Sequence, residues 1–159
     1  YMYLVELINT PTTQPVVHPW GMHTPLPRAS RIVLAFDGVA YLALGLWLVA
    51  DPTGGLAGVQ VTALTPVGET ELRAMYGGLE VGLGLFGLHA ARNAALGIGA
   101  LWANVYVLAG LATARAAGVL LGGGDAPIMR ALLAFELVSL AVNIWALRAA
   151  RAAASGPPA

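Results

Sequence analysis

The sequence predicts an all-α integral membrane protein: a four-transmembrane-helix bundle with an extended N-terminal arm. Three observations predict it. The 159 residues are 58% hydrophobic and 10% charged, whereas soluble domains average about 45–50% apolar and about 25% charged. The mean hydropathy is +0.74. Four apolar runs each approach the roughly 20 residues that cross a bilayer. Four buried helices of a soluble protein would be the competing assignment, but too little polar surface remains to solvate them.

Residues 1–30 form the arm. Pro11, Pro15, Pro19, Pro25 and Pro27 favour an extended, polyproline-like path. The segment lacks the basic start and small-residue cleavage site of a signal peptide. Tyr3, Leu7, Val17 and Trp20 make it unusually apolar for a solvated tail. They are therefore assigned to partner binding, with a disordered tail as the alternative. His18 and His23 have no carboxylate companion there, so no metal site is expected.

Residues 31–151 hold the helices, which are obligatory in lipid because it offers no partner to loose backbone groups. The first helix is expected over about 32–50, stopped by Asp51-Pro52. The next twenty residues are long for a bundle connection. Within them "GVQVTAL" reads as a short strand or an interfacial segment. Thr70 is the expected N-cap of the second helix, about 72–91, with Glu71 in its first turn. Arg92-Asn93 turns the chain tightly into the third helix, about 95–117. A glycine turn containing Asp125 and Pro127 leads to the fourth, about 128–149. Residues 152–159, rich in Ala, Pro and Gly, read as a flexible tail.

Arginine placement sets the orientation. With the N-terminus inside, Arg28, Arg31, Arg92, Arg148 and Arg151 are cytoplasmic, and Arg73, Arg115 and Arg130 lie outside. The expected location is a bacterial inner membrane, multi-pass, with both termini cytoplasmic. The formal net charge is zero, which gives no basic surface for nucleic acid. There is no Cys, which excludes disulfides and thiolate chemistry. No phosphate loop, nucleophile elbow or zinc-protease motif occurs, so no catalytic residue is assigned.

Ionisable residues inside a membrane helix cost several kcal/mol and usually face the bundle with a partner. Helical periodicity places Arg73, Tyr76, Glu80, Gly84 and Gly87 on one stripe of the second helix. It places Glu136, Ser139 and Asn143 on one stripe of the fourth, and Asn104, Leu108, Leu111 and Arg115 on one of the third. Rise per residue puts Glu80 about 10 Å below Arg73, and Glu136 about 9 Å below Arg130. The expected intramembrane cluster is therefore Arg73, Tyr76, Glu80, Arg115, Arg130 and Glu136. In it Glu80 pairs with Arg115 or Arg73, and Glu136 competes for the same donors. Gly77-Gly78-x3-Gly82 should let a neighbouring helix approach closely. A second polar set, Asp37, His89 and Asn143, lies nearer the inner surface. The carboxylates act either as structural ion pairs fixing helix register or as a shared-proton or ligand site.

The run "ELRAMYGGLEVGLGLF" resembles the uncharacterised bacterial membrane-protein family called domain of unknown function 4345, loosely similar to the DoxX and DoxD-like group. The matching core is Arg73, Ala74, Tyr76, Gly77, Gly78, Leu79 and Glu80. Arg115, "GDAP" and Glu136 also fit, and the resemblance covers about residues 28–151. It implies a small four-helix membrane protein and carries no established activity. Asp37 and the proline-rich arm depart from the pattern. The expected role is a non-catalytic accessory subunit of a larger membrane complex, partnered by other membrane subunits and lipid and anchored by the arm. The alternative is a small transporter or membrane enzyme binding a proton-coupled or lipophilic ligand at Glu80 and Glu136. No cofactor is assigned; lipid, quinone and pigment are the ligand classes left open.

Overall fold

A computed structural model describes residues 25–122 and 124–155. The described residues are helical or in turns, with no strand among them. Helix α1 spans Arg28–Ala50 and follows Pro27 directly. It stops where expected: the Asp51 N–H bonds back to Trp47, and the Asp51 carboxylate accepts from the Gly54 N–H. Asp51 thereby caps the short helix α2, Pro52–Leu56. A 3₁₀ turn at Ala57–Val59 follows, ending at Gln60 with φ 60°. The "GVQVTAL" stretch is thus turn and coil, because a left-handed Gln60 interrupts any extended run.

The next helix starts earlier than expected. Thr65, not Thr70, is its N-cap, accepting from the Gly68 N–H at 3.1 Å. Pro66 stands at the first helical position, where its missing N–H is harmless and its fixed φ suits the helix. Thr70 lies inside and donates to the Pro66 carbonyl. Helix α3, Pro66–Leu72, runs into a π-helical segment at Arg73–Gly78 and then into α4, Leu79–Ala90. Asn93 caps α5, Ala94–Leu121, by accepting from the Ala95 N–H. Helix α6 spans Pro127–Ser155 and so takes in residues assigned to the tail. Helices α1, α5 and α6 are long and apolar enough to cross a membrane.

The bundle is built of two pairs, α1 along α4 and α5 along α6. Glycines set the first pair's spacing. A Cβ at Gly45 would sit 2.5 Å from the Val81 nitrogen, and one at Gly84 2.6 Å from the Leu42 nitrogen. Gly38 and Gly77 meet backbone nearly as closely, at 2.8 Å. Gly78 and Gly82, expected to serve this purpose, do not: no other helix lies near either. Helical spacing explains the difference: seven residues bring Gly77 onto the face of Gly84 and against α1, whereas Gly82, two residues from Gly84, faces away, and Tyr76 is exposed. Leu34, Ala90, Leu101, Val105, Ala146 and Leu147 close the apolar core at the end where α1 begins.

Candidate functional site

Two polar centres occupy the bundle interior. The first joins three helices. Asp37 Oδ2 accepts from Asn143 Nδ2 at 2.9 Å and from Asn104 Nδ2 at 3.0 Å. Asn104 Nδ2 also lies 3.3 Å from Asn143 Oδ1, and Asn143 Nδ2 reaches the Ser139 carbonyl at 3.0 Å. Asn104 and Asn143 are both buried. One carboxylate oxygen of α1 therefore gathers carboxamides from α5 and α6. Nearer the end where α1 begins, Ser30 donates to the Ala146 carbonyl at 2.9 Å, a second link between α1 and α6.

The second centre joins α5 to α6. Arg115 Nε lies 3.0 Å from both oxygens of Glu136, and Nη2 lies 2.7 Å from Oε1. Nη1 is 3.4 Å from the Met129 sulfur. Glu136 is buried and acceptor-only when ionised, so this fork satisfies it with two parallel charge-assisted bonds.

Glu80 and Glu136 were expected to compete for Arg115; Glu136 takes it and Glu80 does not. Helix α4 packs along α1 rather than along α5, so the carboxylate that Arg115 meets is on α6. Arg73 does not reach Glu80 either. It turns back to cap α1, donating to the carbonyls of Val49 and Ala50, and pairs with Glu69. Arg130 pairs with Asp125 at 3.2 Å in an exposed position, outside the interior. Glu80 is left with Oε2 buried and without a hydrogen-bond partner among the described residues. Its Cβ lies against Gly45.

The inner set is assembled in part. Asp37 and Asn143 meet, while His89 is exposed and apart from them. On α5, Ala112 rather than Leu111 continues the buried stripe from Asn104 and Leu108. Sequence reasoning missed Asn104 as a member of the Asp37 centre, although its spacing had put it on an inward stripe. The arm residues Tyr3, Leu7, Val17 and Trp20, with His18 and His23, lie outside the described residues. No cluster of His, Asp or Glu arranged to hold a metal occurs among the described residues.

The family model described as domain of unknown function (DUF4345) matches residues 29–147. No curated protein and no solved structure gives a significant match.

Proposed function

The chain belongs to the DUF4345 family, and from that premise we propose that it is a non-catalytic structural subunit of a larger membrane complex. In this reading the helical run from Pro66 to Ala90 is the fourth crossing, the membrane is a bacterial inner membrane, and both termini are cytoplasmic. The uneven arginines support that orientation. The residues 1–30 arm anchors the chain to its partners.

The observation that carries the reading is an outward face on α5 on which small residues flank one exposed aromatic. Gly99, Ala103, Gly110 and Ala117 fall on one side of that helix, with Tyr106 between them. Gly99, Tyr106, Gly110 and Ala117 are exposed. The positions a Cβ would take at Gly99 and Gly110 are open space. Lipid tails are as apolar as Leu, so membrane helices associate through close packing at small residues. Inside the bundle, glycines serve that end between α1 and α4; on α5, Gly97 faces Leu26, but Gly99, Gly110 and Gly118 point outward. Purification from the native membrane in mild detergent, with native electrophoresis and mass spectrometry, tests this. A defined complex stoichiometric with the chain is expected, and Gly99→Leu with Gly110→Leu should release it. A lone monomer indifferent to those substitutions sinks the reading.

A second reading is favoured by Glu80 alone. A buried carboxylate oxygen with no partner among the described residues suits a proton-coupled or lipophilic ligand such as a quinone. It makes the chain a small transporter or membrane enzyme, and it predicts that Glu80→Gln abolishes activity in a protein that still inserts.

A further inference from the structure

Arg28, Arg31, Arg92, Arg148 and Arg151 gather where α1 and α5 begin and α4 and α6 end. The bonds from Arg31 to the Ala91 carbonyl and from Ser30 to the Ala146 carbonyl fix these ends at one level. Carboxylates are scarce there. The nearest along any of the four helices is Asp37, six residues beyond Arg31, or about 9 Å deeper. Every ion pair among the described residues uses Arg73, Arg115 or Arg130 instead.

Three of these arginines share a cleft of about 510 Å³ with Leu26, Ile32, Ala35, Leu88 and Ala91. Its two parts differ chemically. Arg28, Arg31 and Arg92 line it at the helix ends, and Ile32, Ala35 and Leu88 line it further along α1 and α4. Arg31 is held by its Nε bond to the Ala91 carbonyl at 3.1 Å, which leaves its two terminal nitrogens as donors. Arg92 makes one long bond, 3.4 Å, to the Leu88 carbonyl. A fork of this kind matches phosphate oxygens.

We infer that this cleft binds one anionic phospholipid, its phosphate held by Arg28, Arg31 and Arg92 and an acyl chain lying along Ile32, Ala35 and Leu88. The inference rests on the reading of the chain as membrane-spanning. An anionic headgroup fits better than a zwitterionic one, because among the described residues no carboxylate at this end would receive an ammonium group. Basic clefts between helices at a membrane surface recognise anionic headgroups in this way.

The test uses the full chain in mild detergent, with native mass spectrometry counting retained lipid during titration by phosphatidylglycerol or phosphatidylcholine. Each arginine contributes about fivefold, so one phosphatidylglycerol should be retained at least about tenfold more tightly than phosphatidylcholine. Replacing Arg28, Arg31 and Arg92 together by Gln should abolish that preference, and replacing them by Lys should keep much of it. Replacing Arg148 and Arg151 by Gln should leave it intact. Equal retention of the two lipids by the unaltered chain overturns the inference, whether or not the variants fold. So does an equal loss from the Arg148 and Arg151 pair, which would mean diffuse surface charge. Thermal protection by inorganic phosphate alone, matching that by phosphatidylglycerol, would also overturn it, as a free-anion site. Carbonate extraction of native membranes reads the membrane assignment separately: a chain that stays in the pellet but shows no lipid preference fails only here.

Discussion

Arg115 grips Glu136 with two prongs, Nε 3.0 Å from both carboxylate oxygens and Nη2 2.7 Å from Oε1. The pair crosses from α5 to α6 near the end opposite the arginine-rich cleft. Removing one partner leaves the other charge buried and alone, a loss of about 3–5 kcal/mol. Arg115→Met should therefore lower thermal stability in detergent steeply. Arg115→Met combined with Glu136→Leu should recover most of it, since no charge is then stranded. A double-mutant cycle by thermal unfolding measures this. Additive losses would mean the two residues do not interact.

Asp37 accepts two carboxamides with one oxygen, so it ties α1 to the α5–α6 pair. Asp37→Ala removes the acceptor and leaves Asn104 and Asn143 with unmet donors. The expected loss is about 1–3 kcal/mol. Asp37→Asn keeps an oxygen at the same place and should lose less. If Asp37→Ala unfolds at the unaltered chain's temperature, the three-helix link carries no stability.

What the sequence could reveal was set by helix period and length. Hydropathy located the apolar runs, and Asp51-Pro52 and Arg92-Asn93 marked real breaks. Depth along a helix was also readable, because rise per residue is nearly constant. Which helices lie side by side was not. Arg115 and Glu80 stand at depths that would allow a bond, but α4 lies against α1, and α6 supplies the carboxylate. The place of Tyr76 was misread for another reason. Steps of three and four carried through Arg73–Gly78 put Tyr76 on the inner stripe, but that place belongs to Gly77, and Tyr76 is exposed. His89 shows the limit of polarity as a guide: near a helix end it is exposed rather than part of the Asp37 centre.

The α1–α4 crossing should tolerate no added carbon. At Gly45 and Gly84 the obstructing atoms are backbone nitrogens at 2.5 and 2.6 Å, which cannot swing aside as a side chain would. Gly45→Ala and Gly84→Ala should each lose about 1–3 kcal/mol by forcing the helices apart. Gly82→Ala is the matched control. It meets nothing within 4 Å, and Ala is the better helix former by about 0.5–1 kcal/mol. Melting temperatures in detergent should fall for the first two and hold or rise for the third. A fall at Gly82 equal to that at Gly84 would place another helix on the outer side of α4.

Glu80 should behave unlike Glu136, and the contrast separates the two functional readings. Among the described residues no donor reaches Glu80 Oε2, so Glu80→Gln breaks no ion pair there and removes a poorly solvated charge. Stability should hold or rise by about 1 kcal/mol, whereas Glu136→Gln weakens the bidentate bond to Arg115. A stability loss at Glu80 as large as that at Glu136 would reveal a partner for Glu80. Stability is also the background against which function is judged. If Glu80→Gln melts normally yet the protein loses ligand binding or transport, the carboxylate was kept for that chemistry. If it melts normally and its complex is recovered intact, Glu80 is dispensable to the subunit role, and the outward face of α5 carries the function.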